Sequence, residues 1–293
     1  MSLFRNIAES SLRILAWFST LFVVLFLGVY FYFLFSRGVT SINPGLFFGE
    51  TGPWSAMMGG APVWDGIWPA VVGTVMLVVM ASVLVIPAGI MAGVYISEYS
   101  SGYFREITNM AVDLLAGMPS IVMGLFGFTL ILLLRKTIAP TANVGLALAA
   151  TCLAILSLPY MIKTTQLALN SIDSVRRLTG LSLGFTRWQN MVHVLLPASS
   201  RQILNGVILT IGRSAEDTAV ILLTGVVANA GIPDKLNDKF EALPFFIFFT
   251  ASEHRTVEEL NKGFGAAIVL LLVATGLFVC SKSIEKSFRK INR

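Results

Sequence analysis

Long apolar runs without charged residues alternate with polar segments along the whole chain. A helix that crosses a bilayer needs about 20 predominantly apolar residues. Six runs of the 293-residue chain reach or approach that length. We therefore predict an all-α integral membrane protein with six transmembrane helices, in runs 14–36, 66–97, 114–134, 137–162, 202–228 and 263–281.

Composition and charge support this class and set an orientation. The chain is 55% hydrophobic and only 13% charged, whereas soluble domains are about 25% charged. The segments on the side of the N-terminus hold roughly twice as many Lys and Arg residues as the opposite segments. The positive-inside rule then places both termini in the cytoplasm. The same bias explains the net charge of +5 without a nucleic-acid partner.

The first run is either a retained anchor or a secretory signal peptide. Its apolar core exceeds the usual 7–15 residues, and Ser36-Arg37 offers no small-residue cleavage site, so we interpret it as an anchor. Residues 1–65 then form an N-terminal anchor and first outer loop. Residues 66–293 form a core of five helices, with a cytoplasmic loop at 163–201 and a long outer loop at 229–262. The apolar stretch 243–249 is too short to span, which predicts a re-entrant or interfacial segment.

Three charged residues interrupt the fifth run: Arg213, Glu216 and Asp217. Their spacing allows all three to share one helix face. From a helix start near Gln202, Arg213 lies about 16 Å along the axis, near mid-membrane. Unpaired charges there cost about 2.5–3.5 kcal/mol each, so we expect either an internal ion-pair cluster or a polar lining of a substrate path. Asp113, near the third run, is either a path residue or an acid at a helix end.

The cytoplasmic loop has a patterned centre. Thr186 and Gln189 fit a capping box, and Gly184 suits a left-handed helix end. We predict a short helix before Gly184 and a second short helix over 187–194, after which Pro197 resets the chain before the fifth span.

The second short helix carries an apolar stripe at helical spacing, formed by Trp188, Met191, Val192 and Leu195. A stripe of this kind either lies on the lipid surface or docks another protein. Elsewhere, Gly89 and Gly93 are spaced for close helix packing. Pro87, Pro119 and Pro159 are either tolerated kinks or hinges that shape a path.

Catalytic and metal-binding signals are absent from the sequence. No phosphate-cradling Gly-x-x-x-x-Gly-Lys-Ser/Thr motif occurs, so any ATP hydrolysis must take place in a separate subunit. Cys152, Cys280, His193 and His254 show no ligand spacing. We therefore expect no enzyme activity, no metal and no directly bound cofactor, with ATP used by a partner.

The loop motif resembles a known family. Gly184, nine intervening residues and Val194-Leu195-Leu196-Pro197 are similar to the "EAA" loop of ABC-importer permeases, although Leu178, Thr179 and Gly180 stand at the Glu-Ala-Ala positions. In that family the loop inserts into a groove on the ATPase subunit. The resemblance assigns this coupling role to Gly184, Trp188, Val194, Leu196 and Pro197.

Further stretches resemble the permeases of phosphate importers. These are 86–89 with 95–99, the Pro-Ser-Ile-Val-containing stretch 117–127, and 213–219; Ala242-Leu243-Pro244 favours the A-type subunit. The resemblance implies a type I ABC-importer permease fold in the cell inner membrane. It also implies a transport role for Arg213 and Asp217, with Glu216 in place of the family Gly. It also implies three partners: a second permease in a heterodimer, a cytoplasmic ATPase dimer and an outer-face phosphate-binding protein.

Two alternatives remain open on the sequence. One is a permease of the same class for another oxyanion, such as sulfate, molybdate or tungstate. The other is a secondary transporter or membrane sensor that has no ATPase.

Overall fold

The structure is a computed structural model that describes the backbone of residues 2–57 and 62–291 and the side chains of residues 9–57 and 62–283. Regular structure in these residues is helical, apart from one isolated bridge between Val226 and Phe240. The α-helices are α1 (Ser2–Gly38), α2 (Pro44–Phe48), α3 (Pro53–Met57), α4 (Trp68–Val94), α5 (Gly102–Ala116), α6 (Ser120–Thr137), α7 (Leu146–Asn170), α8 (Ser174–Ser182), α9 (Arg187–Asn190), α10 (Leu196–Glu216), α11 (Ala219–Thr224), α12 (Leu243–Glu253) and α13 (Val257–Ile291).

Six helical segments of the described chain are long and apolar enough to cross a membrane. They contain α1, α4, α6, α7, α10 and α13, which confirms the predicted number of spans. The third span begins at Ser120, later than predicted, because Pro119 adopts an extended conformation that separates α5 from α6.

The fourth and fifth spans also differ from their predicted limits. The fourth helix starts at Leu146, and the outer loop covers this start: the carbonyls of Asp238 and Leu236 accept from the amides of Leu146 and Ala147. The fifth span is helical from Arg187, through a π-helical segment at Met191–Leu195, and ends at Glu216.

The predicted interruption of this run at Pro197 is wrong. Pro197 lies in the first turn of α10, directly after the π segment. There the wider helical turn accommodates the missing amide without ending the helix.

Close helix packing forms the centre of the bundle. A side chain at Gly89 would approach Met161 to 2.5 Å, and one at Gly93 would approach Thr165 to 2.6 Å. The predicted close packing at these two glycines is therefore confirmed, and it joins α4 to α7. On the other side, Gly124 lies against the carbonyl of Ala219, which brings α6 against α11.

The connection between α11 and α13, called the outer connection below, folds back into the bundle. Phe240 and Leu243 are fully buried, and the amide of Leu243 donates to Thr74 Oγ1 of α4. Helix α12 has 11 residues and is too short to span, as predicted for the apolar stretch 243–249.

The N-terminal helix contacts the rest of the bundle near its C-terminal end. The rings of Phe33 and Phe264 are 5.4 Å apart, and Gly38 packs against Ile268 of α13. The predicted division into 1–65 and 66–293 stays a prediction. Residues 58–61 of the first part, and Arg293 among the basic residues used for orientation, lie outside the described residues.

Candidate functional site

The fifth span ends in a break between two helices. Helix α10 stops at Glu216, and Asp217 takes an extended conformation. Its Oδ1 accepts a hydrogen bond of 3.0 Å from the amide of Val220, which stabilises the first turn of α11. The helix is therefore interrupted where the sequence predicted one span over 202–228.

Arg213 lies in the last turn of α10, next to this break. Its guanidinium carbon is 4.8 Å from the centre of the Tyr160 ring, a cation–π geometry. The side chain is half-buried, and its Nε is buried without a hydrogen-bond partner in the described structure. A buried donor without a partner costs free energy unless another group satisfies it.

The structure separates the three charged residues that the sequence grouped. The shared helix face is wrong for Asp217, which lies beyond the end of the helix, and Glu216 is exposed. Neither forms an ion pair with Arg213; the ion pairs described are Lys163–Asp113 and Arg177–Glu98. The alternative of an internal cluster among these three residues is therefore not supported in the described part of the chain.

The predicted position of Arg213 along its helix is also wrong. Because α10 begins at Leu196 and not near Gln202, Arg213 lies about 26 Å from its start. The residue occupies the end of a span beside a chain break, as in membrane proteins that place irregular backbone only where it is enclosed or lines a cavity.

Tyr160 is a site residue that the sequence reasoning missed. It follows Pro159 in the fourth span, and its ring covers the guanidinium of Arg213. The apolar spans contain many aromatic residues, and nothing in the sequence distinguishes Tyr160 from the others as a contact of Arg213.

The position of Asp113 favours the alternative of an acid at a helix end over that of a path residue. It lies near the end of the amphipathic helix α5, is exposed, and pairs with Lys163 of α7 at 2.8 Å. The contact joins α5 to α7.

The second candidate region is the hairpin formed by residues 171–195. Gly184 has φ of +84°, which confirms the predicted left-handed turn after α8. Thr186 Oγ1 accepts from the amide of Gln189, and the Gln189 side chain accepts from the amide of Thr186. The predicted capping box is therefore confirmed.

The predicted apolar stripe divides between two surroundings. Met191 and Leu195 are buried beside Val94 and Leu169, whereas Trp188 is 66% exposed. Val194 and Leu196 are half-buried, and Pro197 is exposed. Sequence reasoning missed four further exposed apolar residues on the hairpin: Leu178, Leu181, Leu183 and Phe185.

Sequence comparison identifies the family. A model of the family described as "Binding-protein-dependent transport system inner membrane component" matches residues 85–290. The chain belongs to this family. It is thus a membrane-embedded component of a transport system, and membership favours the importer interpretation over a sensor or a secondary transporter.

Curated relatives extend the match to most of the chain. A "Probable phosphate transport system permease protein PstA" of Methanocaldococcus jannaschii is 27% identical over 73% of this chain and 74% of its own. A "Phosphate transport system permease protein PstA" of Mycobacterium leprae is 30% identical over 72% and 68%. The Pasteurella multocida protein of the same description is 26% identical over 88% and 89%.

Solved structures share the fold. A bacterial ABC transporter involved in alginate import aligns with a TM-score of 0.67, at 13% identity, over 98% of this chain and 99% of the matched chain. The MetNI methionine ABC transporter aligns with a TM-score of 0.53, at 16% identity, over 81% and 99%. The predicted six-span permease fold is confirmed by these similarities.

Proposed function

We propose that this chain is a permease subunit that carries inorganic phosphate across the cell inner membrane. The relatives described as phosphate permeases support the substrate class. The observation that carries the assignment to a site is the half-buried guanidinium of Arg213 beside the break between α10 and α11, whose Nε lacks a hydrogen-bond partner in the described residues.

The chemistry of Arg213 suits an oxyanion. A guanidinium presents five N–H donors in a planar fork that matches phosphate oxygens. Tyr160 holds one face of this group, while Nε lacks a hydrogen-bond partner in the described residues. We assign Arg213 to the substrate path as the anion contact. Asp217 stabilises the break, and Glu216 presents an exposed acid near it that lowers the local positive potential.

The hairpin supplies the contact to the motor. The chain has no ATP-binding motif, so ATP hydrolysis belongs to a cytoplasmic ATPase dimer. The turn at Gly184 projects Trp188 and its exposed apolar neighbours. In this proposal both termini and the hairpin face the cytoplasm, and the hairpin inserts into a groove on the ATPase.

The remaining partners follow from the family's transport class. A second permease completes the membrane pore as a heterodimer, and an outer-face binding protein delivers phosphate. Closure of the ATPase dimer moves the hairpin and opens the path outward; hydrolysis returns it inward. The subunit itself performs no catalysis and binds no cofactor.

Reconstitution of the complete transporter in proteoliposomes tests this function through ATP-driven uptake of radiolabelled phosphate. We expect Arg213→Ala to reduce uptake at least about tenfold, because a hydrogen bond to a charged group contributes about 1.5–3 kcal/mol. Arg201→Ala, at an exposed arginine on the same helix, is the matched control and should retain uptake.

The result also separates the oxyanion alternatives. We expect excess unlabelled phosphate to suppress uptake and sulfate, molybdate and tungstate to leave it unchanged. Wild-type uptake by the Arg213→Ala variant would remove this residue from the path. Suppression by another oxyanion alone would reassign the substrate.

A further inference from the structure

A single guanidinium joins three elements at the base of the hairpin. Arg177 of α8 places its Nη1 at 2.7 Å and 2.9 Å from the two carboxylate oxygens of Glu98. Its Nη2 donates to the carbonyl of Leu169, in the last turn of α7. Glu98 follows α4 in the chain, so Arg177 connects α8 to the ends of both α4 and α7.

The surroundings of this ion pair give it strength. Both side chains are largely shielded from solvent, with exposed fractions of 27% for Arg177 and 16% for Glu98. Charged hydrogen bonds are stronger where water is partly excluded. The Leu169 carbonyl lies at a helix C-terminus, where a cation is favoured. The arrangement is therefore unlike an exposed surface pair, which contributes little.

Each partner of the ion pair is connected to a π-helical segment, in which the helical turn is wider. Glu98 belongs to a π-helical segment, Tyr95–Tyr99, that ends the second span. A second π segment, Met191–Leu195, connects the hairpin to α10. The side-chain amide of Asn190, immediately before that segment, donates to the carbonyl of Arg177 at 3.0 Å. Mid-helix π turns commonly mark functional sites.

We propose that Arg177 is a positioning residue that transmits hairpin movement to the second span through Glu98. This inference rests on the proposed function, in which an ATPase moves the hairpin. Without the ion pair, the exposed part of the hairpin would still bind the ATPase. Its displacement would then be lost at the base of α8 and would not reach α4.

Charge exchange provides the test, in the reconstituted transporter. We expect Arg177→Glu and Glu98→Arg each to reduce phosphate uptake and the binding-protein stimulation of ATP hydrolysis about tenfold, within the usual range of coupling between sites. The ATPase should still co-purify, and basal hydrolysis should persist. The double variant Arg177→Glu/Glu98→Arg should recover uptake to at least about threefold above either single variant, because the pair is restored with opposite polarity, while the hydrogen bond to the Leu169 carbonyl stays lost.

Two controls separate this role from local structure and from ATPase contact. Arg176→Glu makes the same charge change one residue away at an exposed position; adding Glu98→Arg to it should give no recovery. Arg177→Lys keeps the charge but not the planar fork, and should retain intermediate stimulation.

The outcomes are distinguishable from a failure of the proposed function. That failure would appear in the wild type, as an absence of the ATPase or of phosphate uptake. The ion-pair proposal is overturned if the single variants transport like wild type, or if the double variant is as defective as they are. If a single variant fails to assemble, recovery of assembly and uptake in the double variant supports the proposal, and its absence overturns it.

Discussion

The two long connections of this permease differ in the burial of their central apolar side chains. The outer connection, between α11 and α13, buries Phe240 and Leu243 completely in the bundle. The hairpin, between α7 and α10, leaves Leu183 73% exposed and Trp188 66% exposed. These two side chains anchor the outer connection within the subunit, whereas the hairpin presents apolar area that a partner would cover.

Backbone and charge show the same difference. Outer-loop carbonyls satisfy the first amides of α7, and the buried Glu241 accepts from the amide of Gly231. The hairpin instead makes its hydrogen bonds at its base and within its turns. We therefore expect outer-loop changes to affect the stability of the subunit, and changes at the hairpin tip to affect association with the ATPase.

The largest expected effect is on the stability of the outer connection. Phe240→Ala removes a fully buried ring from the main core cluster and should cost about 3–5 kcal/mol. Thermal unfolding of the detergent-solubilised subunit should show a marked decrease in Tm. Leu236→Ala, at an exposed residue of the same connection, should leave the Tm nearly unchanged. Equal losses in both variants would contradict the assignment of Phe240 to the core.

The exposed tryptophan should dominate association with the ATPase. Trp188→Ala removes an aromatic anchor and should weaken ATPase binding about 30-fold, the effect of about 2 kcal/mol. Binding is measured by titrating ATPase onto the permease in nanodiscs, with Tm as a stability check. Trp54→Ala, at an exposed residue of the first outer loop, is the control and should bind normally. A Trp188 variant with lower Tm and normal binding would reverse the comparison.

The turn at Gly184 tests whether hairpin geometry matters beyond its apolar area. Its φ of +84° strains a β-branched residue by about 1–3 kcal/mol, although no neighbouring atom obstructs a side chain. Gly184→Val should weaken ATPase binding about fivefold or more in the same titration. Gly184→Asn, which tolerates the left-handed region, should stay within about twofold. Unchanged binding in both variants would show that the turn is dispensable.

The smallest expected effect concerns pH. Burial raises the pKa of Glu241, while amide donation from Gly231 and Ala230 partly opposes the shift. The contribution of Glu241 to subunit stability is therefore greatest below the ordinary value near 4.5 and falls as pH rises through the raised value. Glu241→Gln should remove this component of the Tm–pH profile. Glu253→Gln, at an exposed position, should keep it; loss in both would exclude Glu241 as its source.

The sequence predicted what depends on local pattern. Apolar runs predicted six spans, Gly184 the left-handed turn, and Thr186 with Gln189 the capping box. These features depend on residues close together in the chain, so spacing alone specifies them. The helix limits failed where neighbours decide them: the start of α7 is covered by the outer loop, and α10 ends where Asp217 bonds the next helix.

Contacts between distant segments could not be predicted from one sequence. The ring of Tyr160 contacts Arg213, and Arg177 pairs with Glu98. The members of each pair are far apart in the sequence, and the spacing of apolar residues does not indicate such contacts. Periodicity grouped Trp188 with Met191 and Leu195, but the tertiary packing buries only the last two. The transport roles of Arg213, Glu216 and Asp217 stay proposals, whereas the helix break beside them, between α10 and α11, is a feature of the structure.

Cross-linking at the hairpin tests the central claim most directly. In a Cys280→Ser background, Leu183→Cys places a thiol on the exposed hairpin and Leu236→Cys places one on the outer connection, while the native Cys152 is buried. Membranes carrying the complete transporter are treated with a cross-linker that has a maleimide for the introduced thiol and a photoreactive group that inserts into any neighbouring chain. The account predicts that Leu183→Cys captures an ATP-hydrolysing subunit and Leu236→Cys does not. Failure of Leu183→Cys to capture that subunit, or its capture from the outer position, would contradict the account.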